Sequence, residues 1–101
     1  MPTDISALTE IDRLIHEPAR LALTAILSVV ESADFLYLQR ETGLTKGNLS
    51  SHLAKLEEAG YVTIEKTYRG RIPLTLIRLT DAGLAAYKAY RARFKKFLEK
   101  T

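Results

Sequence analysis

The feature that most restricts this chain is a change of hydrophobic period at Gly60. Upstream, Leu49, Leu53 and Leu56 follow the i, i+4, i+7 spacing of a helix with one buried stripe. Downstream, "YVTIEKTY" and "PLTLIRLT" alternate, which predicts two strands. Val62, Ile64 and Tyr68 fall on one side of the first, with Thr63 and Glu65 on the other; in the second, Leu74 and Leu76 oppose Thr75 and Ile77. Between the strands, "RGRI" sets Gly70 between Arg69 and Arg71, a short hairpin loop. Pro73 begins the return strand, where its missing donor does least harm.

The rest of the chain reads as helices. Ile5, Leu8, Ile11, Leu14 and Ile15 follow Thr3 and Asp4, either of which could cap a first helix over 4–15. "HEPARLALTAILSVV" predicts a second, starting at Glu17 or Pro18 and mostly buried through Leu21, Leu23, Ile26, Leu27 and Val30. "ESADF" is a break, with Ser32 or Asp34 capping a short third helix that Gly43 ends. Only Leu44 separates that glycine from Thr45, the expected N-cap of a fourth helix from Lys46 to about Ala59. Two short helices joined by a glycine-containing turn make a helix-turn-helix. "LTDAG" then opens a final helix, 81–99, capped by Thr80 or Asp81. The predicted class is α+β, mainly helical, in the order α-α-α-α-β-β-α, as one domain over 1–101.

With 101 residues, 47% of them hydrophobic and 27% charged, the chain can bury one modest core and is not of disordered composition. It contains no cysteine, which removes disulfides and thiolate chemistry. No secretory leader and no membrane span are expected, so the default location is cytoplasmic. The net charge of +3 is unevenly spread. Residues 1–34 hold six acids against two arginines, net −4, whereas residues 35–101 hold thirteen Lys/Arg against six acids, net +7. That asymmetry suggests a polyanion partner for the second part.

The fourth helix has an unusual outer face. On a wheel with Leu49 at zero, Gly47, Ser51 and Asn48 fall at about 160, 200 and 260 degrees, away from the core. Short amide and hydroxyl side chains, with Gly47 and Ala54 beside them, allow close approach to base edges in a major groove. Lys46 lies in the first turn, where helices of this kind meet bases, and Thr45 stands at the helix start. Arg69 and Arg71 on a narrow hairpin tip suit a minor groove, with Gly70 permitting the turn. Lys55 and Lys66 are candidate phosphate contacts. His52, at about 300 degrees, either hydrogen-bonds within the fold or reaches a phosphate.

"TKGNLSSHLAKLEEAGYVTIEK" followed by "GRIPLTLIRLTDAGLAAY" resembles the winged-helix regulators of the MarR and ArsR types, and the small MarR-like group most. "HEPARLALTAIL" resembles their second helix, so the likeness spans roughly residues 10–95. The resemblance implies a transcriptional regulator that binds double-stranded DNA, usually as a homodimer on a near-palindromic site. It places the positions of Lys46, Asn48, Ser50, Ser51 and His52 in or beside the groove, and those of Arg69 and Arg71 at the wing tip. The long flanking helices of larger members are missing, which leaves any small-molecule effector unassigned.

Other chemistry finds little support. No cofactor is expected, and two distant histidines without thiols do not suggest a metal site. No phosphate loop or nucleophile constellation is visible, so an enzyme is not expected. The aromatic face of the last helix, Tyr87, Tyr90, Phe94, Phe97 and Leu98, is read as a dimer interface with Ile5, Leu8 and Ile11. Two rival readings stand beside the regulator: a winged helix used for protein–protein contact, and a sequence-neutral architectural DNA binder.

Overall fold

The computed structural model describes residues 9–99. Its elements run α1 (Pro18–Leu27), β1 (Ala33–Asp34), α2 (Phe35–Thr42), α3 (Lys46–Glu58), β2 (Val62–Arg69), β3 (Ile72–Leu79) and α4 (Asp81–Glu99). The sheet is antiparallel throughout, in the order β1-β3-β2. This is a winged helix of the expected α+β class.

Two elements differ from expectation. Of the helix expected over 4–15, residues 4–8 lie outside the described residues; among the others only Thr9 is helical, and residues 10–17 form turns and bends. The cause is local. The Asp12 carboxylate accepts the backbone N–H of Leu14 at 2.9 Å and of Ile15 at 3.2 Å, offering the chain an alternative to the helical ladder. Ile11 and Ile15 are nevertheless buried. Second, "ESADF" contains the short strand β1, paired Ala33 to Ile77 and Asp34 to Leu76. Two residues are too few to show a period of two.

The helix ends follow from their caps. The Glu17 carboxylate accepts from the Arg20 N–H at 2.8 Å, with Pro18 in the first turn. Asp34, not Ser32, caps α2 through the Tyr37 N–H at 2.7 Å. The Thr45 hydroxyl accepts from the Asn48 N–H at 3.1 Å and starts α3. Thr80, not Asp81, starts α4: its hydroxyl accepts from Gly83 N–H and donates to the Gly60 carbonyl at 2.6 Å.

The core lies where α1, α2 and α3 meet the sheet. Leu23, Leu38, Leu49, Leu56 and Ile77 are fully buried, joined by Leu27, Leu53 and Val62. Ile64 pairs with Ile77 across β2 and β3, so the inward faces coincide. Tyr68 shares the strand parity of Val62 and Ile64 yet is 70% exposed, because the hairpin runs out past the core. At its tip Gly70 has φ +64° and Arg71 has negative φ, the combination that a two-residue type II′ loop requires. At the other end Gly83 sits against Tyr61: a Cβ there would collide with the Tyr61 carbonyl oxygen, which also accepts from Thr80 N–H at 2.9 Å. The start of α4 is thereby pinned to the end of α3.

Candidate nucleic-acid interface

The three leucines of α3 take up all of its burial, with Leu49 and Leu56 at 0% exposure and Leu53 at 2%. Lys46, Gly47, Asn48, Ser50, Ser51, Ala54 and Lys55 are all exposed, as is the capping Thr45. Among the described residues, the side chains of Lys46, Asn48, Ser50, Ser51 and Lys55 make no hydrogen bond or ion pair within the chain. A row of short, unpaired donors and acceptors stays hydrated until a polar partner replaces the water.

His52 is placed differently. Its side chain is only 21% exposed and lies in a cluster with the first turn of α1. Nδ1 is 3.1 Å from Arg20 Nη1 and 3.7 Å from Glu17 Oε2. Guanidinium can only donate, so the short contact requires Nδ1 to accept and puts the neutral ring's proton on Nε2. Of the two alternatives left open for His52, the structure shows the hydrogen bond within the fold. Burial pushes the Glu17 carboxyl up, but the N–H groups of Arg20 and Ala19 and the Arg20 charge bring it below the usual range.

The wing stands beside α3. Lys66, Arg69, Gly70 and Arg71 are exposed, and among the described residues none of these cations has an ion pair. Arg69 pairs with Ile72 as the last rung of the hairpin, so the two arginines flank the tip. A cleft of about 760 Å³ separates wing from helix and brings Lys46 and Ser50 of α3 to the same space as Lys66 and Arg69. It also brings in Arg40 of α2, which no sequence pattern singled out. The available signal was a lone arginine in the last turn of α2, the helix that precedes α3.

The fold that carries these elements is shared with known proteins. The winged helix DNA-binding domain family matches residues 19–98. The chain belongs to that family. This winged helix is 38% identical over 79 residues to an uncharacterized protein of Methanocaldococcus jannaschii, covering 77% of this chain and 85% of that one. A transcriptional regulator homologue from Pyrococcus horikoshii OT3 has TM-score 0.88 at 31% identity, covering 93% of this chain and 95% of that one. A structure from Enterococcus faecalis V583, described as a transcriptional regulator of the MarR family, shares the fold with TM-score 0.75 at 22% identity, covering 99% and 93%.

This winged helix also carries an apolar region away from α3 and the wing. Ile5 and Leu8, expected there, lie outside the described residues. Ile11, at 6% exposure, and Tyr90, at 3%, are already covered within the chain, forming a second small cluster with Ile15. The Tyr90 hydroxyl lies 2.8 Å from His16 Nδ1, and its ring stacks on Phe94 at 5.8 Å. The apolar face left open is therefore Tyr87, Phe94 and Phe97, half-buried, and Leu98, which is 55% exposed. Among the described residues no three His, Asp or Glu side chains gather as a metal site, and no helix is long and apolar enough to cross a membrane.

Proposed function

We propose that this winged helix is a transcriptional regulator that binds a near-palindromic DNA site as a homodimer. Asn48 and Ser51 read bases from the major groove, and Lys46, Ser50 and Lys55 hold the helix in register through bases or phosphates. Arg69 and Arg71, with Lys66 behind them and Gly70 between, place the wing on the flanking minor groove. Two such subunits would present their α3 helices to successive major grooves about 34 Å apart. The observation that carries the reading is the polar face of α3 beside a cationic hairpin, both without a partner among the described residues.

Two features support the homodimer. Tyr87, Phe94, Phe97 and Leu98 leave an apolar strip on α4 that the chain itself covers only in part. The radius of gyration, 15.1 Å, exceeds the roughly 13 Å of a compact chain of this length, so part of the molecule extends beyond a single compact core.

The test is selection of bound duplexes from a random pool at about 150 mM salt, where exposed charges are screened beyond about 8 Å. An enriched inverted repeat is the expected result and gives the half-site spacing. Retention without enrichment would replace sequence reading by architectural binding. No retention would move the function to protein contact.

A further inference from the structure

We propose that the cleft between α3 and the wing seats one phosphodiester strand, with Arg40 of α2 as a phosphate contact outside both elements. This rests on the DNA-binding reading above and specifies how it is carried out. A helix in a major groove and a hairpin in the adjacent minor groove lie on either side of the strand that divides the two grooves. Whatever lines the space between them must suit that strand.

The lining suits it in two ways. Arg40, Lys46, Lys66 and Arg69 converge on the cleft from three elements, and among the described residues none of them has an ion pair. The acid at the cleft, Asp34, spends its carboxylate on the cap of α2, accepting the Tyr37 N–H at 2.7 Å. The second feature is apolar. Leu36 on α2 and Ile72 on the wing are 72% and 68% exposed, and both line the cleft. A nucleic-acid strand alternates anionic phosphates with the carbon faces of its sugars, so isolated cations interleaved with large apolar side chains complement it at both. Arg40 is also restrained where it stands. Its guanidinium carbon lies 6.0 Å from the Tyr37 ring centroid, a cation–π distance that limits its wandering.

The experiment uses the full chain and two duplexes, the selected site and a scrambled one, across a salt series. Arg40→Gln is expected to lower the slope of log affinity against log salt by about 0.9, the value of one phosphate contact, on both duplexes. The selected base sequence should not change, since a phosphate contact carries no sequence information. Arg40→Lys should restore the slope. Ethylating single phosphates should reveal one position that weakens wild type but no longer weakens Arg40→Gln. Ile72→Ser should lose affinity several-fold with the slope unchanged. An unaltered slope in Arg40→Gln, alongside a lowered slope in Arg71→Ala, a wing arginine outside the cleft, would overturn the strand seat while leaving DNA binding intact. Failure of the wild-type chain to hold either duplex would overturn both.

Discussion

The helices α3 and α4 are both amphipathic, but they treat their outer faces in opposite ways. In α3, Leu49, Leu53 and Leu56 are buried at 0–2% exposure and no large apolar side chain is left over; the outer face carries Lys46, Asn48, Ser50, Ser51 and Lys55, whose side chains find no partner among the described residues. In α4, Gly83 and Tyr90 alone are fully buried, while Tyr87, Phe94, Phe97 and Leu98 remain wholly or partly open. The first helix has finished its packing inside the chain and offers a surface that loses water only to polar groups. The second has apolar area still to bury. One chain thus carries two faces of different chemistry, suited to a polyanion and to a second copy.

The largest effect that could break this comparison lies under α3. Leu53→Ala is expected to cost about 2–5 kcal/mol, as large-to-small changes in a packed core do. Ser51→Ala, on the opposite side of the same helix, should change stability by less than about 0.5 kcal/mol while weakening binding to the selected duplex. Urea unfolding and duplex titration on the same samples check the pair. If Ser51→Ala destabilised the fold as Leu53→Ala does, the outer face of α3 would be structural.

Next in size is the wing. Replacing both Arg69 and Arg71 by Ala should reduce the salt slope by about two and cut affinity on every duplex alike, with unfolding unchanged. An unchanged slope would take the wing off the DNA. On the other face, Phe97→Asp places a charge in the open strip of α4 and is expected to weaken self-association at least tenfold, the scale of about 1.4 kcal/mol for one interface anchor. Sedimentation across a concentration series measures it, and a monomer before as well as after the substitution would remove the apolar strip's proposed role.

Much of this division was legible in the sequence, and particular residues show why. The period of α3 and the alternation of β2 and β3 are long enough to stand out, and Gly43, Gly60 and Gly70 mark turns that each prove to have positive φ. The short strand β1 was not legible, because its identity lies in pairing with Ile77 and Leu76 across the fold. The residues from Glu10 to Ile15, the end of the expected first helix, fold as turns and bends, since Asp12 captures two backbone donors of its own neighbourhood. Tyr90 looked like part of an open aromatic face, yet its burial depends on Ile11 and Ile15, about 75 residues away in sequence and unreachable by any local pattern. Arg40 was missed for the same reason: the cleft it lines exists only once α2, α3 and the wing are assembled.

The smallest expected effect concerns how the α4 side is anchored. The Tyr61 hydroxyl donates to the Asp12 carboxylate, joining the segment before α1 to the residue just before β2. That hydrogen bond, helped by burial and by the Asp12 charge, pushes the Tyr61 phenol up to about 12 from 10.0. The raised value means the folded state favours the protonated phenol. Its contribution is fully present below about pH 10 and is lost as pH climbs toward about 12. Burial raises Tyr90 as well, so Tyr61 and Tyr90 should both form phenolate late in an ultraviolet titration. Asp12→Asn should return Tyr61 toward the ordinary tyrosine range and cost about 1 kcal/mol, the usual net worth of one such bond. Duplex binding by α3 and the wing should survive, because neither Asp12 nor Tyr61 lies on that face. If wild-type Tyr61 instead titrated at its ordinary value of 10.0, the Asp12 segment would be undocked in solution. Ile11 and Tyr90 would then join the open strip of α4, and the difference between the two helices would be larger than the structure shows.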